Sequence, residues 1–226
     1  LALEVVFELK AYSVNVVNGS TGLVGTVEYY VSGTSGDGNW TTNTSAAFTV
    51  AVPSGGSLVM RITASEGNYI SVLSVDSHSE TLPDNAESYV FTVADVTGNT
   101  SVEISYRGLF YDVILPDDTG FATISGPAET SFQKGTDPGL YVVEAAEGHY
   151  ISAIRVNGTV LDPYVYFSDA ITGGCRIFGF EVNGEEISLY DAAGDYRITS
   201  VTFRIESISR DTVIEVETDD LYYKIN

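Results

Sequence analysis

The side chains able to do chemistry are few and scattered. His78 and His149 are the two histidines, and no H-E-x-x-H pattern exists, so a zinc site of histidine type has nothing to assemble from. Ser131-Phe132-Gln133-Lys134 spells S-x-x-K. That pattern works only with partner motifs and a helix beneath it, and this stretch is turn-rich and lacks both. We read it as coincidence. Cys175 is the only cysteine; it follows Gly173-Gly174 and precedes Arg176, whose charge would favour the thiolate. No general base lies near it in sequence, and a packed or exposed thiol is expected. Asp117-Asp118 and Asp219-Asp220 are the best carboxylate pairs for calcium, without a D-x-D-x-D-G loop to complete a site. A Lys–Asn isopeptide crosslink would have to use Lys10, Lys134 or Lys224, the only lysines. The expectation is a protein without catalytic residues, metal or cofactor: a structural or binding protein rather than an enzyme.

Aromatic residues offer a different chemistry. Trp40 lies among glycines, threonines and asparagines, and Tyr164, Tyr166 and Phe167 cluster in a second inserted stretch, Thr159 to Tyr196. Aromatics on a β platform stack on sugar rings, although they also plug cores and interfaces. These four are the candidate ligand-binding aromatics. Asn18, Asn39, Asn43, Asn99 and Asn157 each head an N-x-S/T sequon.

The elements that must position these residues are strands. Leu58, Met60 and Ile62 alternate with polar neighbours, as do Val102, Ile104 and Tyr106, and Val201, Phe203 and Ile205. Period two signals half-buried strands, and helical periodicity is hard to find. Turn-rich clusters such as Ser32 to Asn39 separate the runs. With 226 residues, 44% hydrophobic and 18% charged, the chain has material for real cores. One cysteine excludes an intramolecular disulfide. The net charge of −21 argues against nucleic acid and anionic lipid as partners, and no run approaches the ~20 apolar residues of a membrane-spanning helix. The first residue is Leu1 and no signal peptide is visible, which suggests a processed mature chain or an excised fragment.

An internal repeat organises the chain. Glu66-Gly67-Asn68-Tyr69-Ile70-Ser71 returns as Glu147-Gly148-His149-Tyr150-Ile151-Ser152. Downstream, Asn99-Thr100-Ser101-Val102-Glu103-Ile104 returns as Asp211-Thr212-Val213-Ile214-Glu215-Val216. Physics accounts for the pattern without a ligand. Glycine makes the corner, the tyrosine covers the core edge with its hydroxyl on a backbone partner, and Asn157-Gly158 or Asp76-Ser77 makes a hairpin turn. The fold expected is all-β: two tandem, related antiparallel units, sandwich-like or small-sheet modules, with loop insertions. The boundaries read as a strand at 1–10, a first unit at 11–107 and a second at 108–226.

The succession of Gly148-His149-Tyr150, Val156-Asn157-Gly158 and Thr212-Val213-Ile214-Glu215-Val216 resembles bacterial extracellular surface-repeat modules, the divergent InlB B-repeats and related cell-wall repeats. The family's tryptophan after the Gly-Tyr corner is absent from both units. The resemblance implies a module of extracellular adhesins, stalks and wall-anchored proteins.

The ends carry the same phase as the middle. Leu1, Leu3, Val5, Phe7 and Leu9 read as a closing strand, and Leu221, Tyr223 and Ile225 as an opening one. At each junction the inward set changes parity, which demands a bulge or tight bend. The terminal strand either pairs within its own chain, is a remnant of a longer array, or completes a neighbouring subunit. On the last reading Leu1, Leu3, Val5, Phe7 and Leu9 form a subunit interface. Self-association or other surface proteins, with glycans as the alternative, are the expected partners at an extracellular or cell-surface location.

Overall fold

The computed structural model describes residues 10–19, 22–32, 38–117, 120–161 and 197–220 in full, and the backbone of 175–182 and 185–187. Every regular element among them is a strand. The chain divides into two compact units between Leu109 and Phe110, two residues beyond the boundary read from the sequence.

Unit 1 contains β1 (Ala11–Asn18), β2 (Thr26–Ser32), β3 (Thr41–Asn43), β4 (Ala47–Pro53), β5 (Ser57–Thr63), β6 (Asn68–Val75), β7 (His78–Ser79), β8 (Ser88–Val93) and β9 (Thr100–Gly108). They form two sheets, β4-β1-β9-β6-β7 and β3-β2-β5-β8. The inward residues of both sheets, among them Val14, Val16, Leu58, Met60, Ile62, Ile104 and Tyr106, form one buried core. Alternation places them there: in β5, Leu58, Met60 and Ile62 are buried while Arg61 and Thr63 between and beyond them face water.

Unit 2 repeats the plan with β10 (Phe110–Ile114), β11 (Ala122–Ser125), β12 (Ser131–Gln133), β13 (Gly139–Ala145), β14 (His149–Val156), β15 (Thr159–Val160), β16 (Cys175–Val182), β17 (Glu185–Ile187), β18 (Ser200–Ile205) and β19 (Thr212–Asp220). Its sheets run β12-β10-β19-β14-β15 and β11-β13-β18-β16-β17. The first matches its counterpart strand for strand. In the second sheet β11, β13 and β18 stand for β2, β5 and β8, and the insertions account for the rest. Unit 1 adds β3 beyond β2; unit 2 adds β16 and β17 beyond β18.

The repeated motifs have matching structural roles. Tyr69 pairs with Arg107 as Tyr150 pairs with Asp219, and the register slips by one residue after Ile70 and again after Ile151. Gly67 and Gly148 adopt positive φ at the corner. Both corner tyrosines are half-buried at the core edge, but the Tyr150 hydroxyl lies 3.4 Å from the Asp219 carboxylate rather than on a backbone group. The parity change expected at the junction is the break between β9 and β10. Leu109 bridges it, buried, with its N–H donating to the Gly67 carbonyl at 2.9 Å.

The sequence suggested antiparallel pairing throughout, but each unit contains a parallel pair. β1 lies parallel to β9, and β10 parallel to β19. Side-chain clamps hold the closing strand in both. The Asn99 side-chain oxygen accepts the Ser13 N–H at 3.0 Å, and Asp211 accepts the Asp112 N–H at 2.9 Å. On the other flank, Asp76 accepts the Ser101 N–H and Asn157 accepts the Val213 N–H, each at 2.8 Å.

Asp76 and Asn157 open two-residue turns in the left-handed region, with φ of 46° and 52°. The second turn residue is Gly158 in unit 2 but Ser77 in unit 1, at φ 68°. A serine Cβ is disfavoured there by about 1–2 kcal/mol, partly offset by the greater unfolded-state freedom of glycine. Ser77→Gly should therefore raise the stability of unit 1 by about 0.5–1 kcal/mol in chemical denaturation. An unchanged or lowered midpoint would mean that the turn is not strained.

Candidate functional site

The second sheet of unit 1 presents the most distinctive surface. In β2, Val27, Tyr29 and Val31 point to the core, which sends Glu28 and Tyr30 outward. Glu28 stands opposite Arg61 on β5, and Arg61 opposite Val90 on β8. Trp40 comes from the insertion just before β3. Its ring meets Tyr30 edge-on, centroids 4.9 Å apart, and the Arg61 guanidinium lies 4.6 Å over it. Arg61 also donates to the Glu28 carboxylate at 3.1 Å. The result is a strip of indole, phenol, guanidinium and isopropyl groups, with Trp40 38% and Val90 58% exposed. Such a strip can stack on flat or ring-shaped ligands, and the ion pair supplies polar contacts beside it. Arg61 covers one side of the indole.

Beside this strip runs the edge of β8. Among the described residues it pairs with β5 alone, whereas its counterpart β18 pairs with β13 on one side and with β16 on the other. The consequence is visible in burial. Val201 and Phe203 of β18 are 3% and 0% exposed, while Tyr89 and Phe91, at the same register in β8, are only partly buried against the core. Among the described residues β8 and β4 are the long edge strands, with six and seven residues. Those of unit 2, β12, β15, β11 and β17, have two to four. A long edge with unpaired backbone groups and apolar neighbours is a template for another strand.

Of the candidates named from sequence, Trp40 is the one placed here. Tyr164, Tyr166 and Phe167 lie outside the described residues, as do Leu1, Leu3, Val5, Phe7 and Leu9. Tyr30, Arg61 and Val90 were not anticipated. Alternation marks them as outward-facing, but their convergence on Trp40 depends on the path of the inserted loop. The chemistry set aside from sequence is dispersed as well. Ser131 opens the three-residue strand β12 rather than a helix. His149 contacts Asp220 at 3.0 Å and packs on Phe121. Among the described residues no three His, Cys, Asp or Glu side chains converge as metal ligands.

Comparison of the chain with protein-family models, with curated proteins and with solved structures finds no match.

Trp40 is the chain's single tryptophan, so its fluorescence reports on the strip directly. Arg61→Ala uncovers the indole and removes an exposed ion pair. The emission should shift to the red, with a stability loss of about 1 kcal/mol or less. Unchanged emission would place the guanidinium away from the ring in solution.

Proposed function

We propose that this chain is an extracellular structural or adhesive surface protein, a filament subunit that assembles by β-strand addition with β8 as the acceptor edge. The observation that carries the reading is the contrast between the two units at that edge. Unit 2 fills it with β16 and buries Val201 and Phe203; among the described residues unit 1 leaves it open, with Tyr89 and Phe91 half-covered. An added antiparallel strand would pair the free backbone groups and bury that apolar margin. The closing-strand position is not available for this purpose, because β9 and β19 hold it in the two units.

The donor in this reading is the segment Leu1 to Leu9. Its apolar residues Leu1, Leu3, Val5, Phe7 and Leu9 recur every second position, as a strand with one buried face requires. Burying each is worth roughly 1.5–3 kcal/mol before the entropy of ordering is subtracted. The resemblance to bacterial surface repeats supports the same class of protein, and the acidic composition suits an exposed surface.

The Trp40 strip favours a second reading, a glycan-binding module of a secreted or cell-surface protein. Glycan-array binding by the intact chain that disappears in Trp40→Ala, at unchanged melting temperature, is its expected mark. No binding by the intact chain would end that reading.

For assembly, sedimentation and negative-stain images of the purified chain should show polymers that grow with concentration. Val90→Lys places a charge on the acceptor strand at an exposed position and should cut polymer mass severalfold without unfolding the unit. Deleting residues 1–10 should leave a folded monomer. A chain that stays monomeric at every concentration, or a deletion that still polymerises, defeats the filament reading.

A further inference from the structure

The two units diverge at one more place, and the difference leaves a cavity. In unit 1 the end of β1 is closed by a tyrosine. Tyr106 of β9 is 1% exposed and donates its hydroxyl to the Asn18 side-chain oxygen at 2.6 Å. Asn18, itself fully buried, donates to the carbonyls of Gly25 and Ser45 at 2.7 and 3.2 Å. Residue 25 must be glycine, because a Cβ there would collide with the Tyr106 ring and hydroxyl.

Strand register identifies the counterparts in unit 2. Tyr106 pairs with Ile70 as Thr218 pairs with Ile151, so threonine stands where the tyrosine stood. Val14 pairs with Thr100 as Val113 pairs with Thr212, so Asn18 corresponds to Asp117. The β2–β5 and β11–β13 registers place Ala122 at the position of Gly25. With the tyrosine gone, the surrounding groups are uncovered. Ile104 and Val16 are buried in unit 1; their counterparts Val216 and Leu115 are only partly so. Between them lies a cavity of about 270 Å³ lined by Leu115, Pro116, Asp117, Ala122, Ile124 and Val216, with Thr123 beside them. An apolar cavity of about 150 Å³ is large enough to hold benzene.

We propose that this cavity is a binding site for a phenol group, the ring that unit 1 supplies from its own chain. The apolar wall takes the ring. The Asp117 carboxylate, at the place of the acceptor Asn18, accepts a charge-assisted hydrogen bond from the phenol O–H. A carboxylate at the mouth also rejects anionic rings such as benzoates, because a second negative charge there would have no partner. The Ala122 methyl fills the space under the Tyr106 hydroxyl of unit 1, so the bound ring sits nearer the mouth than that tyrosine does.

The probes are 4-methylphenol, toluene and N-acetyl-tyrosinamide, titrated into the full chain with methyl resonances observed by NMR. Saturable shifts at Leu115, Ile124 and Val216 are expected with 4-methylphenol. Toluene should bind more weakly by about tenfold or more, the worth of one hydrogen bond to a charged group. Asp117→Ala, a change at an exposed position, should erase that preference while leaving toluene unaffected. N-acetyl-tyrosinamide distinguishes the source: binding comparable to 4-methylphenol identifies a tyrosine of a partner polypeptide, and exclusion identifies a small free phenol. The double variant Thr218→Tyr with Ala122→Gly rebuilds the plug of unit 1, and should melt a few degrees higher and lose binding. No saturable shift, equal binding of toluene and 4-methylphenol, or unimpaired binding by the double variant overturns the proposal. None of these results depends on whether the chain polymerises.

Discussion

Each unit depends on its last strand. β9 and β19 are central in their sheets, parallel to the unit's first strand on one side and antiparallel to the Gly-Tyr corner strand on the other. Neither sheet can form until the ends of the unit, some ninety residues apart, have met. Local hydrogen bonding cannot enforce that closure, and a parallel pair is slightly less stable per residue than an antiparallel one. The clamps answer this cost. Asn99 and Asp211 fix the start of the closing strand to the opening strand; Asp76 and Asn157 fix its other flank to the hairpin turn. The Asn/Asp-Thr and turn motifs that make the repeat recognisable are therefore these fasteners, which is why they persist while the loops diverge.

That division explains what the sequence could reveal. The inward sets Leu58-Met60-Ile62, Val102-Ile104-Tyr106 and Val201-Phe203-Ile205 are buried as their alternation requires. The Asp76-Ser77 and Asn157-Gly158 turns follow from local conformational preference. Such features depend on a residue and its near neighbours. The parallel pairing does not, because period two is the same for strands of either sense. The partner of the Tyr150 hydroxyl, a carboxylate on the facing strand, is hidden for a related reason. It depends on the register of β14 against β19, with a one-residue slip after Ile151 that nothing in the local sequence marks.

The candidate sites were less legible still, since each arises from contacts between residues distant in the chain. Trp40 stood out as a lone tryptophan in a polar loop, but Arg61 and Tyr30 join it only because β2 and β5 pair in one particular register. The edge of β8, open among the described residues, differs from that of β18 through the place of an insertion. Residues added before β3 extend the sheet beyond β2, whereas residues added before β18 cover the far side of β18. Two insertions in a repeated plan thus act on opposite margins of the sheet, and the one in unit 2 seals a margin where unit 1 has no added strand among its described residues.

The same logic extends to the corner near Tyr106. A buried phenol hydroxyl requires a partner, and Asn18 provides it; burial also pushes that phenol well above its ordinary pKa, so it stays a donor. Tyrosine, asparagine and glycine at 106, 18 and 25 form a set in which no member can change alone. Replacing the tyrosine by threonine strands the acceptor, and the glycine then has no ring to accommodate. In unit 2 all three positions differ together, as Thr218, Asp117 and Ala122. Asp117 is an acceptor only, and being exposed it keeps its contact with water. A unit that had merely lost its plug would be expected to close over the gap with larger apolar groups, because an exposed apolar wall is unfavourable. Two replacements do enlarge apolar groups there, Val16 to Leu115 and Gly25 to Ala122, yet a cavity of about 270 Å³ remains, with the Asp117 carboxylate in its lining.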